Sequence, residues 1–158
     1  MKNILNISAA LLLSLSAPAY AAGDIAAGEK AFKKCKACHT IKNGDEVIFK
    51  GGKTGPNLFG IIGRAAGAEE FKYSKSLLAA GMSGLIWDEE SIAAFITDPT
   101  AYLKDVTGDS KAKSKMTFKA KKNAEDLAAY LASVAPEMEE IETEPADSTE
   151  TTEENNDS

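Results

Sequence analysis

The stretch Cys35-Lys36-Ala37-Cys38-His39 decides how this chain folds. It holds both cysteines of the sequence and its single histidine. Two cysteines separated by two residues and followed directly by histidine match the C-x-x-C-H signature of covalent haem attachment. One helical turn must place both sulfurs at the two haem vinyl groups while the imidazole reaches the iron. We therefore expect Cys35 and Cys38 to carry haem c as thioethers and His39 to be an axial ligand of its iron.

Three other kinds of site also use a C-x-x-C pair: a structural disulfide, a dithiol redox centre and a zinc site. A disulfide across two residues closes a very short loop and stabilises little, because the stabilisation grows with loop length. A dithiol redox centre belongs near a βαβ pattern, which this sequence lacks. Zinc needs four ligands, and there is no second Cys/His pair. Covalent haem is therefore the favoured interpretation.

The first 21 residues have the pattern of a secretory signal peptide. Lys2 supplies a positive charge, residues 4–15 are mostly apolar, and Ala19-Tyr20-Ala21 offers the small residues that signal peptidase requires. The alternative is an uncleaved membrane anchor, which needs about 20 apolar residues and therefore a longer run. We predict cleavage after Ala21 and a soluble mature protein in the periplasm, with no stable membrane insertion.

Charge is unevenly distributed along the chain, whose formal net charge is -6. Residues 22–136 contain 17 basic and 14 acidic residues, a net charge of +3, whereas residues 137–158 contain 10 acidic and no basic residues. A segment so acidic and so poor in apolar residues cannot bury a core. We predict one domain over residues 22–136 and a disordered acidic tail. The tail is either a solvated appendage or a segment that weakens docking at low salt.

Capping residues and helical spacing of apolar residues predict an all-α fold. Four segments are expected to be helices: residues 24–36, 73–80, 88–97 and 123–135. Pro99 is expected to begin a further turn, and no alternating pattern is long enough to indicate a strand. Residues 40–67 are rich in glycine and are expected to be mostly loop, which suits a small domain only when a large ligand packs beneath it. Residues 108–121 are expected to form a loop in which Met116 and Phe118 are buried anchors.

Further motifs are spread between the first and last predicted helices. They are Gly28, Phe32, Thr54-Gly55-Pro56-Asn57-Leu58, Gly63-Arg64, Tyr73-Ser74, Trp87, Lys115-Met116-Thr117-Phe118, and Leu127 with Tyr130. With C-K-A-C-H, they resemble the class I cytochromes c, in particular the soluble bacterial kind close to mitochondrial cytochrome c. The resemblance runs from residue 23 to about residue 135. It implies short helices and loops wrapped around one covalently attached haem, with the N- and C-terminal helices packed together.

The resemblance implies that Met116 is the second axial ligand of the haem iron. Beyond the predicted signal peptide the chain has three methionines, Met82, Met116 and Met138. Met138 lies in the acidic tail, and Met82, which precedes Trp87 in an expected turn, is the alternative ligand. A thioether is neutral and soft, so it favours ferrous iron and raises the reduction potential relative to a second imidazole.

The resemblance also implies roles for residues around the haem. The carbonyl oxygen of Pro56 would accept a hydrogen bond from the free imidazole N–H of His39 and fix the ring. Arg64, Tyr73 and Trp87 would hydrogen-bond a buried haem propionate. The alternative for these three is a surface charge and two core aromatic residues.

One position departs from the family pattern. Relatives commonly have a tyrosine near the methionine ligand in the helix after Trp87, whereas this chain has Phe95. We expect the missing hydroxyl to alter the strength of Met116 ligation and the reduction potential.

The implied function is electron transfer and not enzymatic catalysis. The resemblance indicates a carrier that cycles haem between Fe(II) and Fe(III), taking one electron from a cytochrome bc-type complex to a terminal oxidase or a photosynthetic reaction centre. A catalytic or gas-binding haem protein is the competing class, and it would need an open or labile sixth iron position. A domain of a larger assembly is a third interpretation.

Lysines flank the two stretches that carry the predicted iron ligands. If they ring the exposed haem edge, they steer a monomeric carrier onto acidic sites of membrane redox complexes and have no role with nucleic acid. The alternative is that they only keep the surface soluble. These residues are Lys33, Lys34, Lys36, Lys113, Lys115, Lys119, Lys121 and Lys122.

Overall fold

The computed structural model describes residues 23–134, and this part of the chain contains five α-helices. The helices are α1 (Ile25–Phe32), α2 (Lys75–Met82), α3 (Glu89–Thr97), α4 (Pro99–Thr107) and α5 (Ala124–Ser133). A short 3-10 helix, Cys35–Ala37, follows α1. Two strands, β1 (Ile41–Asn43) and β2 (Glu46–Phe49), come next along the chain. The predicted helical class is confirmed, with one small strand pair added.

Helices α1 and α5 pack against each other and bring the two ends of the domain together. The side chain of Asp24 accepts a hydrogen bond from the Ala27 N–H at 3.0 Å and caps the start of α1, as predicted. Gly28 and Phe32 are buried, and the Phe32 ring centre lies 5.5 Å from that of Tyr130 in α5. The predicted contact between the first and last helices is therefore confirmed.

Helix α1 ends at Phe32, before the predicted end at about residue 36. From this point the chain turns more tightly, because the Lys34 N–H donates to the Ala31 carbonyl oxygen at 3.1 Å. Such bonds across three residues belong to a 3-10 turn and not to an α-helix. The C-x-x-C-H segment is therefore a separate tight turn attached to the end of α1.

Residues 40–67 are mostly loop, as predicted, but β1 and β2 form an antiparallel pair at the start of this stretch. Gly44 lies in the connecting turn with φ of 54°, a left-handed conformation that glycine adopts without strain. The strands are only three and four residues long, and all of their residues except Ile41 and Phe49 are exposed. Periodicity could not reveal them because strands this short and this exposed show no alternation of buried and polar positions.

Polar side chains set the starts of α3 and α4 close to the predicted positions. Asp88 Oδ1 accepts the Ser91 N–H at 2.7 Å, and Ser91 Oγ accepts the Asp88 N–H at 2.9 Å, which forms a capping box. Pro99 begins α4, where its missing N–H costs nothing, and the Asp98 side chain accepts the Ala101 N–H at 3.2 Å. The further turn expected at Pro99 is thus a complete helix.

The loop before α5 is anchored differently from the prediction. Phe118 is 39% exposed and is not a buried anchor, and Met116 is half-buried. Two small residues, Ala112 and Ala120, are buried instead. The Ala120 N–H donates to the Ile96 carbonyl oxygen of α3 at 2.7 Å, an approach between backbones that a small side chain allows.

Several predictions concern residues outside the described range of 23–134. They are the signal peptide over residues 1–21 with cleavage after Ala21, the acidic tail over residues 137–158, and the position of Met138. Within residues 23–134, no helix is long and apolar enough to cross a membrane.

Candidate haem site

A cavity of about 360 Å³ lies beside the C-x-x-C-H turn. Cys35, Cys38 and His39 line it, and so does Met116 from the loop before α5. Much of the remaining wall is apolar, and it includes Phe32, Leu58, Ile61, Leu77, Ile92, Ile96, Leu127 and Leu131. The structure therefore brings the four residues predicted to hold haem to one apolar cavity, although they are up to 81 residues apart in the sequence.

Backbone hydrogen bonds hold the C-x-x-C-H turn in shape. The N–H groups of Cys38 and His39 both donate to the Cys35 carbonyl oxygen, at 3.1 and 3.0 Å. The Gly55 N–H donates to the Cys38 carbonyl oxygen at 2.8 Å, which ties the following loop to the turn. The arrangement directs all three reactive side chains toward the same space.

The chemistry of the thiols disfavours a dithiol redox centre. Burial, and after it the neighbouring Cys38, raises the pKa of the Cys35 thiol to about 11, against a smaller opposing effect of Lys34. A redox-active cysteine needs a lowered pKa, because the thiolate is the nucleophile. Cys35 thus lacks the lowered pKa that is typical of a redox-active thiol.

His39 is oriented by the loop that follows β2. Its Nδ1 donates to the Pro56 carbonyl oxygen over 2.8 Å, the partner that the resemblance implied. Burial lowers the pKa of the imidazole, and the hydrogen bond to Pro56 opposes that effect. A neutral ring that is protonated at Nδ1 has a free lone pair on Nε2 and can donate it to a metal ion.

Met116 is the methionine at the cavity, and Met82 is not. Met82 is the last residue of α2 and is 90% exposed, so the turn expected there is the end of a helix. The loop around Met116 is held by side-chain oxygens, because the Met116 N–H donates to Ser114 Oγ at 3.0 Å. Lys115 Nζ also donates to the Lys72 carbonyl oxygen at 2.7 Å, across the loop before α2.

The structure places Arg64, Tyr73 and Trp87 on the cavity wall. Arg64 donates to two main-chain carbonyl oxygens, that of Asn57 at 2.9 Å and that of Phe59 at 3.3 Å. Burial raises the pKa of the Tyr73 hydroxyl. Trp87 is 4% exposed. Their positions allow contact with a polar group of the ligand, while the implied bonds to a propionate stay a prediction.

Phe95 also lines the cavity, among aromatic rings. Its ring centre lies 5.1 Å from that of Trp87 and 5.9 Å from that of Tyr102 in α4. The Tyr102 and Trp87 rings are stacked at 6.0 Å. The position that lacks a hydroxyl is therefore packed between an indole and a phenol.

Sequence reasoning missed Lys72 and Glu69. Lys72 lines the cavity, and Glu69 forms an ion pair with Arg64, with Oε2 and Nη1 2.7 Å apart. Both residues lie in a stretch without helical or strand periodicity, where sequence spacing does not indicate which side chains meet. The only sequence feature that could have indicated this ion pair is the opposite charge of Glu69, five residues after Arg64. Such spacing predicts a contact only within a regular helix.

These residues fit a covalently attached haem. Two adjacent thiols, an imidazole with a free lone pair and a neutral thioether are the donors that a c-type haem uses, and an apolar wall suits its macrocycle. Cys35 and Cys38 would hold the group covalently, and His39 and Met116 would be the iron ligands. When bound, haem supplies a one-electron Fe(III)/Fe(II) couple whose potential the surrounding protein adjusts.

A comparison with protein families agrees with this geometry. The family model for cytochrome c matches residues 25–135, and every residue that lines the cavity lies in this range. The chain belongs to the cytochrome c family. It therefore binds one covalent haem c, and as a cytochrome c it is an electron-transfer protein and not an enzyme.

This cytochrome c is similar to cytochromes of two bacteria. It is 54% identical over 121 residues to cytochrome c-551 of Roseobacter denitrificans, a match that covers 76% of this chain and 87% of the relative. It is 53% identical over 137 residues to cytochrome c2 of Rhodobacter capsulatus, covering 85% and 98% of the two chains. The solved structure of cytochrome c2 from Rhodobacter capsulatus has a TM-score of 0.70 and 56% identity, covering 71% of this chain and 98% of the other. The class I cytochrome c fold is therefore confirmed.

Proposed function

We propose that this cytochrome c is a periplasmic carrier that takes single electrons from a cytochrome bc-type complex to a terminal oxidase or a photosynthetic reaction centre. The observation that carries the proposal is the meeting of Cys35, Cys38, His39 and Met116 at one apolar cavity. With His39 and Met116 both bound to iron, no coordination position is left for a substrate or a gas. Such a centre exchanges electrons and does no bond chemistry.

The optical spectrum of the exported protein tests the ligands. We expect a sharp low-spin reduced spectrum that carbon monoxide leaves unchanged, and a weak sulfur-to-iron band in the oxidised protein. Met116→Ala should remove that band and make the spectrum respond to carbon monoxide, whereas Met82→Ala, on the exposed end of α2, should change neither. A wild-type spectrum that shifts with carbon monoxide would remove Met116 from the ligands and favour a catalytic or gas-binding protein.

Export is part of the proposal, because the predicted signal peptide would direct the chain to the periplasm. The signal peptide over residues 1–21 and the domain over 22–136 are supported by the sequence pattern and by a family match that begins at residue 25. Mass spectrometry of the purified protein should give a mature N-terminus at Ala22 and one added haem. An intact Met1 on the haem-containing protein would contradict cleavage.

Docking through lysines around the cavity mouth is the second part of the proposal. Lys34, Lys72 and Lys115 line the cavity, and Lys33, Lys36, Lys113, Lys121 and Lys122 are exposed. Two lysines have local partners: Lys115 donates to the Lys72 carbonyl oxygen, and Lys119 Nζ lies 2.6 Å from Asp98 Oδ2. We therefore infer that Lys119 contributes less to steering than its position in the sequence suggests, since its charge is already paired.

The salt dependence of electron transfer tests the docking surface. Lys34→Gln should lower the bimolecular rate with an acidic partner at low salt and flatten the dependence of the rate on ionic strength. Lys104→Gln in α4 is the matched control, because it removes the same charge at an exposed position that does not line the cavity. Equal effects of the two substitutions would mean that net charge, and not a local surface, governs the encounter.

A further inference from the structure

A carboxylate lies behind the arginine of the cavity wall. Glu69 Oε2 is 2.7 Å from Arg64 Nη1, and the two side chains are only 28% and 20% exposed. Within residues 23–134, Glu69 Oε2 is the one buried side-chain oxygen that accepts no hydrogen bond. The contact with Arg64 is thus an ion pair without a well-directed hydrogen bond, in a place from which water is largely excluded.

Arg64 is held on two sides. One nitrogen, Nη2, donates to the Asn57 carbonyl oxygen at 2.9 Å, and Nη1 donates to the Phe59 carbonyl oxygen at 3.3 Å while it contacts Glu69. Arg64 lines the cavity, whereas Glu69 does not. The guanidinium is therefore fixed between the cavity and a negative charge that lies farther out.

The charges of Arg64 and Glu69 both act on Tyr73, which lies on the cavity wall. Its ring lines the cavity and packs edge-on against Phe71, with ring centres 5.2 Å apart. Burial raises the pKa of its hydroxyl most, Arg64 lowers it, and Glu69 raises it again. The field at this part of the wall is thus the sum of a positive and a negative charge and not that of an isolated arginine.

We propose that Glu69 is a positioning residue that fixes the Arg64 guanidinium at the cavity wall, offsets its charge, and thereby lowers the reduction potential of this cytochrome. The oxidised iron centre carries one positive charge more than the reduced centre. A carboxylate near the cavity therefore stabilises the oxidised state, whereas an unpaired guanidinium favours the reduced state. The effect is strong only because the pair is shielded from water and salt.

This role goes beyond electron carriage between named complexes, and it requires no partner protein. It rests on one element of the proposed function, the presence of haem in the cavity with Arg64 on its wall. Failure of the ligand assignment would appear in the spectrum of the unsubstituted protein. Failure of the role of Glu69 would appear in the difference between two potentials, so the two failures are distinguishable.

Potentiometric titration of Glu69→Gln in the haem-containing protein is the primary test. We expect the equilibrium constant for reduction to rise about threefold, which is roughly 30 mV at about 59 mV per tenfold for one electron. Glu70→Gln is the matched control, because it removes the same charge at the next residue, which is exposed. The control should move the potential much less, since solvent and salt screen an exposed charge. An unchanged potential in Glu69→Gln, or an equal change in Glu70→Gln, would overturn the proposal.

A second measurement separates positioning from charge alone. Exchange of the Arg64 Nη hydrogens with solvent, followed by nitrogen-15 NMR, should be slower in the natural protein than in Glu69→Gln, because Nη1 contacts Glu69. Glu69→Asp keeps the charge but is shorter by one methylene, so it should speed this exchange while shifting the potential less than Glu69→Gln. It also serves as a second variant should the glutamine substitution fold poorly. Unaltered exchange in both variants would show that Glu69 does not position Arg64.

Discussion

The backbone of Gly28 in α1 lies directly against the carbonyl group of Asp126 in α5. A Cβ atom at Gly28 would overlap the Asp126 carbonyl oxygen and carbon, and would also collide with Cβ of Tyr130. The first two obstacles are backbone atoms, so no side-chain rotation can relieve the overlap. The distance between the first and last helices therefore depends on the absence of a side chain at this position.

Replacing Gly28 with alanine should destabilise the domain although alanine is the better helix former. Helix propensity alone would stabilise by about 1 kcal/mol, while forcing the helices apart should cost about 1–3 kcal/mol beyond that gain. Denaturant unfolding of the haem-containing protein measures the net loss. Ala26→Gly, at an exposed position of α1, reports the propensity alone. A Gly28→Ala protein more stable than the natural one would contradict the close contact.

Gly55→Ala should disturb His39 directly. A Cβ at residue 55 would overlap Cε1, Nδ1 and Nε2 of the imidazole ring, so the ring must rotate or move away. We expect destabilisation of about 1–3 kcal/mol and a fraction of protein with a high-spin spectrum. The spectrum and the unfolding curve measure these effects. A spectrum identical to that of the natural protein would mean that the ring does not occupy the described position.

Lys115→Gln should loosen the loop that carries Met116. The substitution removes the bond from Lys115 Nζ to the Lys72 carbonyl oxygen, and we expect a loss of about 1 kcal/mol with faster amide exchange over residues 113–118. Lys113→Gln is the matched control, because its side chain is exposed and only its backbone N–H is bonded, to Ser76 Oγ at 3.0 Å. Similar amide exchange in the two variants would show that the bond from Lys115 to the Lys72 carbonyl oxygen does not hold the loop.

Phe95→Tyr should raise the reduction potential. The new hydroxyl would lie at the cavity, where its dipole can turn its proton toward the Met116 side and disfavour the oxidised state. We expect a shift of roughly 20–60 mV, about two- to tenfold in the equilibrium constant, and a changed alkaline transition. Phe118→Tyr is the control, since Phe118 is 39% exposed and its hydroxyl can reach solvent. No change in either property of Phe95→Tyr would refute a role for the missing hydroxyl.

Asp88 should contribute to stability only when it is ionised. Its bonds with the Ser91 side chain, and after them with the Ser91 backbone, lower the pKa of the carboxyl below the ordinary 3.8. A lowered folded-state pKa stabilises above the unfolded pKa and is lost as pH falls through the folded value. The advantage of the natural protein over Asp88→Asn, about 0.5–1 kcal/mol near pH 7, should therefore decrease steadily as pH falls below the ordinary 3.8. Denaturant titrations over a series of pH values measure it. An advantage that is the same across the whole pH series would contradict the prediction.

Short-range chemistry made much of this protein predictable. C-x-x-C-H identifies covalent haem because both thiols and the imidazole must lie within one turn. Caps at Asp24 and Asp88 and the proline at residue 99 locate helix starts, since each acts on groups two or three residues away. The structure also places Met116, and not Met82, at the cavity. The resemblance implied this choice, whereas the periodicity of apolar residues could not distinguish the two methionines.

The features that sequence did not reveal depend on contacts between irregular segments. In the hairpin of β1 and β2 only Ile41 is buried and only Phe49 is half-buried, so no alternating burial pattern marks it. An apolar side chain such as Phe118 is expected in the core, yet Phe118 lines the cavity and is 39% exposed. The buried positions of its loop are occupied by Ala112 and Ala120 instead. Glu69 contacts Arg64, and Lys115 contacts the Lys72 carbonyl oxygen. These residues lie in irregular loops, where sequence spacing does not indicate which side chains meet. The sequence by itself determined the cofactor chemistry and the helices, because these depend on neighbours along the chain. Only the tertiary structure decided which charges face the cavity, because that depends on how the loops fold around it.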